Sequence, residues 1–294
     1  MNILLAIDHS VSSETAVSEV TARPWPAGTK VCVLNVVEPP ALLVIPAVLQ
    51  TATEAGQALV KNAADRLIAR GLETSTHVVQ GNPRTGIAEY AESWGADLVV
   101  VGSHGHSAIG RFLIGSVAQG LIRGAPCSVE VVRNTVYDKP ADAQAMKILL
   151  ATDGSEFSLA AMRSLVERPW PEGTMVSALS VAEFINPAIE PWYANPNMLE
   201  RLLEDATARA RDAVSDAEKT LAATGLKVDG SVVTGLPKIA IVHEAKKWGA
   251  DLIVLGSHGL RGITRLLIGS VAEAVAVHAH CSVEVIRERV TSKQ

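Results

Sequence analysis

The sequence repeats itself once, and this repetition restricts the chain to a pair of similar domains. Residues 2–8 return as residues 147–153 at an offset of 145. Further along, residues 95–117 match residues 249–271 at an offset of 154, with 16 of 23 positions identical. A period near 150 residues is the size of a whole domain, whereas a solenoid unit is much shorter. Each copy is therefore expected to fold around its own core.

The two copies differ in length because the second has nine more residues between Glu183 and Gly235. A polar stretch around Pro140 separates the copies and has the composition of a linker. We predict domain one at residues 1–138, a linker at 139–146 and domain two at 147–294.

Composition and charge exclude several classes of protein and of binding partner. Hydrophobic residues make up 48% of the 294 residues and charged residues 19%, which is typical of a globular protein. A net charge of −5 favours neither nucleic acid nor an anionic membrane as a partner. The longest apolar stretch that could suggest a membrane segment is Ala41–Leu49. It is broken by Pro46 and is far shorter than the roughly 20 residues of a membrane-spanning helix. Three separated cysteines without a C-x-x-C pair favour a reducing compartment, so we expect a cytoplasmic protein.

Within each copy, short apolar runs alternate with segments of helical length, which predicts an α/β fold with a parallel sheet covered on both faces. In domain one the predicted strands are residues 2–7, 31–37, 74–79, 98–101 and 128–132. The predicted helices are a first one ending near residue 21, then 53–70, 83–94 and 116–123. Ser12 or Ser13 is expected to cap the first of these.

The residues that predict ligand binding lie in the connection after the fourth strand of each copy. This connection contains G-x-x-G, nine residues, then G-S-V, and the spacing is the same in both copies. Glycines let main-chain N–H groups approach an anion, and Gly-Ser delivers a helix N-terminus with its free donors, so phosphate is the expected ligand. The alternative is that the serine only caps the helix. There is no P-loop lysine and no strand-borne G-x-G-x-x-G, so neither a P-loop kinase nor a Rossmann dehydrogenase is supported.

These glycines, together with an aspartate ending the first strand of each copy, resemble the ATP-binding subclass of the universal stress protein family in its tandem two-domain form. The resemblance covers nearly the whole chain. It implies Rossmann-like (adenine nucleotide α-hydrolase-like) domains, each with a five-stranded parallel sheet of order 3-2-1-4-5 and one nucleotide pocket where the order reverses. It also implies that the two domains pair through their last strands, and it leaves open whether the whole chain forms a homodimer.

The resemblance assigns a nucleotide-binding role to matching positions in both copies. In domain one these are Asp8, Val36, Gly102, Gly105, Gly115, Ser116 and Val117. In domain two they are Asp153, Val181, Gly256, Gly259, Gly269, Ser270 and Val271. The aspartate would line the nucleoside end and the valine on strand two would contact adenine. One departure is His9, which stands where domain two has Gly154 and makes the first site the less secure one.

Other matched residues have two interpretations each. His104 and His258 either touch phosphate or are turn residues with satisfied ring nitrogens. Arg111 and Arg265 either reach a phosphate or are solvated loop cations. Cys127 and Cys281 are expected to be buried apolar residues rather than redox groups. The Arg-Pro-Trp-Pro segments around Trp25 and Trp170 are expected to anchor the first helix to the second strand. Two connections differ between the copies and are candidate lids or partner surfaces: residues 39–49 and 186–197.

Three functions remain open at this point. The first and favoured one is an ATP-binding regulatory module with an unknown protein partner, in which Mg²⁺ could accompany the triphosphate without a dedicated carboxylate cage. The second is a slow ATPase or adenylyl-transfer enzyme, although no base, lysine and carboxylate constellation is evident. The third is a nucleotide-free structural adaptor, which the intact glycine spacing in both copies disfavours.

Overall fold

A computed structural model describes residues 1–39, 46–104, 114–133, 145–183, 196–260 and 268–287. Ten strands form one continuous sheet in the order β3-β2-β1-β4-β5-β10-β9-β6-β7-β8. Within each half of this sheet every neighbouring pair of strands is parallel, and each half has the predicted order 3-2-1-4-5. The α/β fold class expected from the sequence is thus confirmed.

The elements of the two halves match one by one. Domain one contains β1 Asn2–Ala6, α1 Val11–Ala22, β2 Lys30–Val37, α2 Pro46–Ile68, β3 Glu73–Gln80, α3 Pro83–Trp94, β4 Leu98–Gly102, α4 Ser116–Gly124 and β5 Ser128–Val132. Domain two contains β6 Lys147–Ala151, α5 Glu156–Val166, β7 Met175–Glu183, α6 Pro196–Ala222, β8 Lys227–Gly235, α7 Pro237–Trp248, β9 Leu252–Gly256, α8 Ser270–His278 and β10 Ser282–Ile286.

Two predictions about helix starts are wrong. The cap of α1 is Ser10, whose side chain accepts from the Ser13 backbone N–H, rather than Ser12 or Ser13. The Ser13 hydroxyl is used elsewhere, because it donates to Asp8 Oδ1 at 2.7 Å. Helix α2 begins at Pro46 rather than at Thr53, about two turns earlier than predicted. Proline at a first helical position is well tolerated since its missing N–H needs no partner there.

The apolar core divides by face of the sheet. On one face, α1 and α2 cover domain one around Leu5 and Leu67, and α5 and α6 cover domain two around Leu150 and Leu221. On the other face, one cluster runs through both domains and includes Val131 of β5 and Val283 of β10. On one face of the sheet each domain therefore has its own core, while on the opposite face the two domains form one shared core.

The two domains join through β5 and β10, which pair antiparallel. This pairing places Glu130 directly opposite Glu284, and each glutamate is only 1% exposed. Arg23 meets Glu130 with two hydrogen bonds of 2.7 and 2.9 Å, and Arg168 donates to Glu284 at 2.9 Å. Burial alone would lower the pKa of Arg23, but the Glu130 and Glu19 carboxylates raise it above its usual value. A charged cluster of two arginines and two glutamates is thus buried at the domain junction.

The tryptophans of the Arg-Pro-Trp-Pro segments belong to the same junction. The Trp25 indole N–H donates to the Val20 carbonyl at the end of α1, which agrees with the predicted anchoring role. In addition, the Arg23 guanidinium lies 5.2 Å from the Trp25 ring centre and 5.6 Å from that of Trp170 in the other domain. These segments therefore contact each other across the junction, a role that the sequence did not predict.

A second pair of arginines crosses the junction on the opposite face. Arg133 donates to the Ala276 and Val277 carbonyls near the end of α8, each at 2.8 Å. In the reverse direction, Arg287 donates to the Ala125 and Ile122 carbonyls near the end of α4, at 2.7 and 2.5 Å. A cation at a helix C-terminus satisfies free carbonyls and the negative end of the dipole. Each domain thus stabilises the fourth helix of the other.

Candidate functional site

The candidate site of each domain lies where the strand order reverses, at the carboxyl ends of β1 and β4 or of β6 and β9. At such a point the connections leave the two central strands toward opposite faces of the sheet, which opens a crevice between them. Asp8 and Asp153 follow the first strands, and the glycine connections follow the fourth strands. Both predicted groups of residues therefore reach the same crevice.

In domain two, Asp153 ties the two sides of this crevice together. Its Oδ1 accepts from the Ser155 backbone N–H at 3.0 Å, and its Oδ2 accepts from the Leu260 N–H at 2.9 Å. A Cβ on Gly259 would lie 2.6 Å from Asp153 Oδ2, so a larger residue at this position would push the carboxylate away. The carboxylate is thus held at a fixed position beside the glycine turn.

The N-termini of α4 and α8 open into these crevices. The cap residues are Gly115 and Gly269, in extended conformation, and neither helix receives a side-chain cap hydrogen bond from the described residues. Ser116 and Ser270 are the first helical residues and are exposed. The alternative that these serines cap the helices is therefore wrong. The first N–H groups of both helices keep their donor capacity, as an anion site requires.

A cavity of about 500 Å³ occupies the crevice of domain two. This volume is within the range of small-molecule sites, about 300–1,000 Å³. Its lining includes all seven residues predicted for this domain: Asp153, Val181, Gly256, Gly259, Gly269, Ser270 and Val271. Pro237, Ile241 and Leu255 add apolar surface next to Val181. The structure thus brings the complete predicted set of domain two around one cavity.

Domain one repeats most of this arrangement. Asp8 Oδ1 accepts from the Ser10 N–H at 3.0 Å as well as from Ser13. The Ser10 hydroxyl donates to the His104 carbonyl at 3.1 Å, which joins the β1 end to the glycine turn. Val36, Gly102, Gly115, Ser116 and Val117 stand at the positions equivalent to those of domain two. Gly105, Arg111 and Arg265 lie outside the described residues, as do most of residues 39–49 and 186–197 and most of the linker at 139–146.

A scan against protein families gives the identity of this repeated architecture. The model of the universal stress protein family matches residues 1–133 and again residues 145–287. The chain belongs to the universal stress protein family. Its tandem form, expected from the repeat, is confirmed by the two matches.

Curated universal stress proteins cover most of the chain. One from Mycolicibacterium smegmatis is 28% identical over 301 residues, covering 98% of this chain and 97% of the relative. Another, from Mycobacterium tuberculosis, is 31% identical over 222 residues, covering 74% of this chain and 70% of the relative. The crystal structure of a universal stress protein from Archaeoglobus fulgidus matches with a TM-score of 0.66 at 19% identity, covering 98% of this chain and 97% of that structure. This last likeness supports the fold alone.

Two of the glycines whose spacing is repeated in both copies of this universal stress protein have a packing reason that the sequence did not reveal. A Cβ on Gly102 would lie 2.7 Å from the Ser12 backbone carbon, and one on Gly256 would lie 2.5 Å from the Phe157 backbone. Both contacts are closer than real Cβ atoms approach. These glycines therefore let the end of β4 or β9 lie against the helix that follows the first strand, whether or not a ligand is bound.

We expect Gly256→Ala to lower the free energy of unfolding by about 1–3 kcal/mol in nucleotide-free protein, because the added carbon forces the Phe157 backbone away. Urea unfolding monitored by circular dichroism measures this change. Gly124→Ala is the control, since nothing lies within 4 Å of a Cβ there and the helix should gain a few tenths of a kcal/mol. Equal stability of Gly256→Ala and wild type would contradict the packing role.

The histidines of the glycine turns are only half satisfied. His104 Nδ1 lies 3.1 Å from Ser103 Oγ, and His258 Nδ1 lies 3.1 Å from Ser257 Oγ. The Nε2 atoms of both rings are buried and lack a hydrogen-bond partner among the described residues, so the expectation of satisfied ring nitrogens holds for one nitrogen of each ring. Burial lowers the pKa of both histidines, and a nearby arginine lowers it further: Arg133 for His104 and Arg287 for His258.

These lowered pKa values predict acid sensitivity. Below about pH 6.5, the ordinary pKa of histidine, His104 and His258 bind protons in the unfolded chain but remain neutral in the folded one, so the free energy of unfolding decreases as the pH is lowered. The double variant His104→Gln/His258→Gln should show a shallower fall between about pH 6.5 and 5 in urea unfolding. His77→Gln, at an exposed position on β3, is the control and should keep the wild-type slope. An unchanged slope in the double variant would refute the assignment.

Three further expectations concern chemistry outside the cavity. Cys32, Cys127 and Cys281 are buried and form no disulfide bond with one another, and burial raises the pKa of Cys281 to about 12, which opposes thiolate chemistry. The part of the chain that the structure describes holds no cluster of three His, Cys, Asp or Glu side chains suited to a metal ion. Among the described helices, none combines the length and apolar character needed to cross a membrane.

Proposed function

We propose that this universal stress protein binds ATP in each domain and acts as a nucleotide-dependent regulatory module in the stress response. The observation that carries the proposal is the cavity of domain two, around which Asp153, Val181 and the glycine-serine connection lie together. Such a combination of an apolar wall, a carboxylate and a helix N-terminus fits a nucleoside joined to phosphates.

Each part of the cavity suits one part of the ligand. Val181, Pro237 and Ile241 form an apolar wall for the adenine ring. The Asp153 carboxylate, held in place by two backbone N–H groups, accepts hydrogen bonds from ribose hydroxyls. Gly269 and Ser270 present the start of α8, with its free N–H groups and positive dipole end, to the phosphates. Mg²⁺ would enter with the triphosphate, which supplies most of its oxygen ligands.

A regulatory role follows from where the ligand would bind. The nucleotide would contact both the turn after β9 and the start of α8, and α8 is held at its other end by Arg133 of domain one. The bound and free states would therefore differ at a surface that both domains help to form, which a partner protein can recognise.

The proposal is tested by purifying the protein without added nucleotide, denaturing it and quantifying the released small molecules by mass spectrometry. We expect ATP as the main species, at close to two molecules per chain. Release of ADP or AMP alone would favour the slow-ATPase or adenylyl-transfer alternative. A protein that releases no nucleotide and also fails to bind added ATP would refute the proposal and favour the structural adaptor.

A further inference from the structure

The cavity of domain two contains a charged residue that the glycine pattern does not include. Of the described residues that line it, Arg209 is the only lysine or arginine, while Asp153 and Glu183 supply carboxylates. A bound triphosphate would add several negative charges to a cavity that already holds these two. A cation in the lining therefore matters more here than in a typical apolar pocket.

The position of Arg209 on α6 places it near the turn that follows Asp153. Leu202, Ala206 and Arg209 are spaced at intervals of four and three residues, so they share one face of the helix, and all three line the cavity. One turn further along the same face is Ala213, whose Cβ would lie 3.5 Å from a Cβ on Gly154. Arg209 thus lies about one helical turn from the turn that follows Asp153.

The side chain of Arg209 makes no interaction with the described residues that would stabilise the fold. It is exposed, and within the described ranges no hydrogen bond or ion pair involves its guanidinium. By contrast, Arg23, Arg133, Arg168 and Arg287 all hold carboxylates or helix carbonyls. The guanidinium of a residue that lines the cavity and has no partner within the described ranges is available to a ligand.

Domain one lacks this residue. The glycines that end the two long helices, Gly71 and Gly225, correspond at an offset of 154, and both have positive φ angles of 83° and 85°. The same offset aligns Arg209 with Ala55. The two sites therefore differ by a positive charge at one wall, although their glycine and serine residues are the same.

We propose that Arg209 binds a phosphate group of the nucleotide in domain two, so that this site discriminates phosphorylated nucleotides from the bare nucleoside. The inference rests on the proposed function, because it needs a nucleotide in the cavity. Arginine presents five N–H donors in a planar fork that matches phosphate oxygens. The start of α8 lines the same cavity and offers its backbone N–H groups, so Arg209 would add a side-chain contact to those of the helix N-terminus.

The test uses the full chain with Gly115→Val, which is designed to close the site of domain one so that only domain two is measured. Calorimetric titration with ATP and with adenosine then compares Arg209→Gln with the parent. We expect the Kd for ATP to rise about tenfold or more, the size of one lost charge-assisted hydrogen bond, and the Kd for adenosine to change less than twofold. Arg211→Gln is the matched control, an exposed arginine on the same helix that does not line the cavity.

The outcomes separate this inference from the proposed function. A parent that binds neither ligand refutes the proposed function in domain two, and the inference fails with it. A parent that binds ATP while Arg209→Gln binds it equally well refutes the inference alone. Equal losses for ATP and adenosine also refute it, because they would mean that Arg209 supports the pocket rather than contacting phosphate.

Discussion

Replacing Arg23 by methionine is expected to lower the free energy of unfolding by about 3–5 kcal/mol, the largest stability effect that we predict for a single side chain. The substitution keeps much of the apolar volume but leaves Glu130, which is 1% exposed, without its two hydrogen bonds from the guanidinium. The unpaired carboxylate would then lie opposite Glu284 on the neighbouring strand. Urea unfolding followed by tryptophan fluorescence measures the loss.

Two comparisons make this prediction specific to the buried charge. The double variant Arg23→Met/Glu130→Met should be clearly more stable than Arg23→Met alone, because it removes the uncompensated charge together with its partner. Arg66→Met breaks the exposed pair with Glu14 and should cost no more than about 1 kcal/mol. If Arg23→Met were no more destabilising than Arg66→Met, the buried Glu130 carboxylate would not depend on the Arg23 guanidinium as described.

Gly269→Val is expected to weaken ATP binding in domain two on the order of a hundredfold, the cost of losing about two charge-assisted hydrogen bonds from the start of α8. A Cβ at this position would lie 3.1 Å from the Ser257 carbonyl oxygen and 3.3 Å from His258 Cα, so the larger valine should displace the glycine connection from the start of α8, where we propose that the phosphates bind. Calorimetric titration in a Gly115→Val background isolates the affected site.

A loss of ATP affinity supports the binding role only if the Gly269→Val variant remains folded. Gly269 has φ −68° and ψ 146°, a conformation that valine readily adopts, but the 3.1 Å contact with the Ser257 carbonyl oxygen requires the neighbouring backbone to shift, so circular dichroism and the unfolding midpoint are measured on the same sample as the titration. Gly269→Ala adds only the Cβ and should lose less affinity than Gly269→Val. Unchanged ATP affinity in folded Gly269→Val would contradict the role of the α8 N-terminus.

The sequence predicted the sheet well because its strands are short apolar runs bounded by turn residues. Strand β5 and helix α3 have the predicted bounds, and Gly95 ends α3 in the left-handed conformation that favours glycine. Helix starts were less predictable. Three serines near the start of α1 compete for the cap, and only the folded chain commits the Ser13 hydroxyl to Asp8. The early start of α2 could not be read from the sequence, because residues 40–45 include no serine, threonine, aspartate or asparagine that would mark a cap.

The part of the site that could be predicted consists of the glycines, serines and aspartates that occur at matching positions in both copies. Arg209 was missed because it stands in the second copy alone, on a helix whose sequence differs between the domains. The buried glutamates could have been found from the sequence. Glu130 interrupts the apolar last strand of the first copy and Glu284 that of the second, and each copy has an arginine at the matching position that pairs with its glutamate. The exchange of Arg133 and Arg287 could not be inferred, because it depends on how the two domains face each other.

The most direct test of the account is the number of ATP molecules that one chain binds. In a calorimetric titration at ATP concentrations that just saturate the wild type, nucleotide-free protein should bind two ATP per chain, Gly115→Val or Gly269→Val one each, and the double variant none, because its remaining affinity is on the order of a hundredfold weaker. Two bound ATP molecules in the folded double variant, or none in the wild type, would contradict the assignment of a nucleotide site to the carboxyl edge of each half of the sheet.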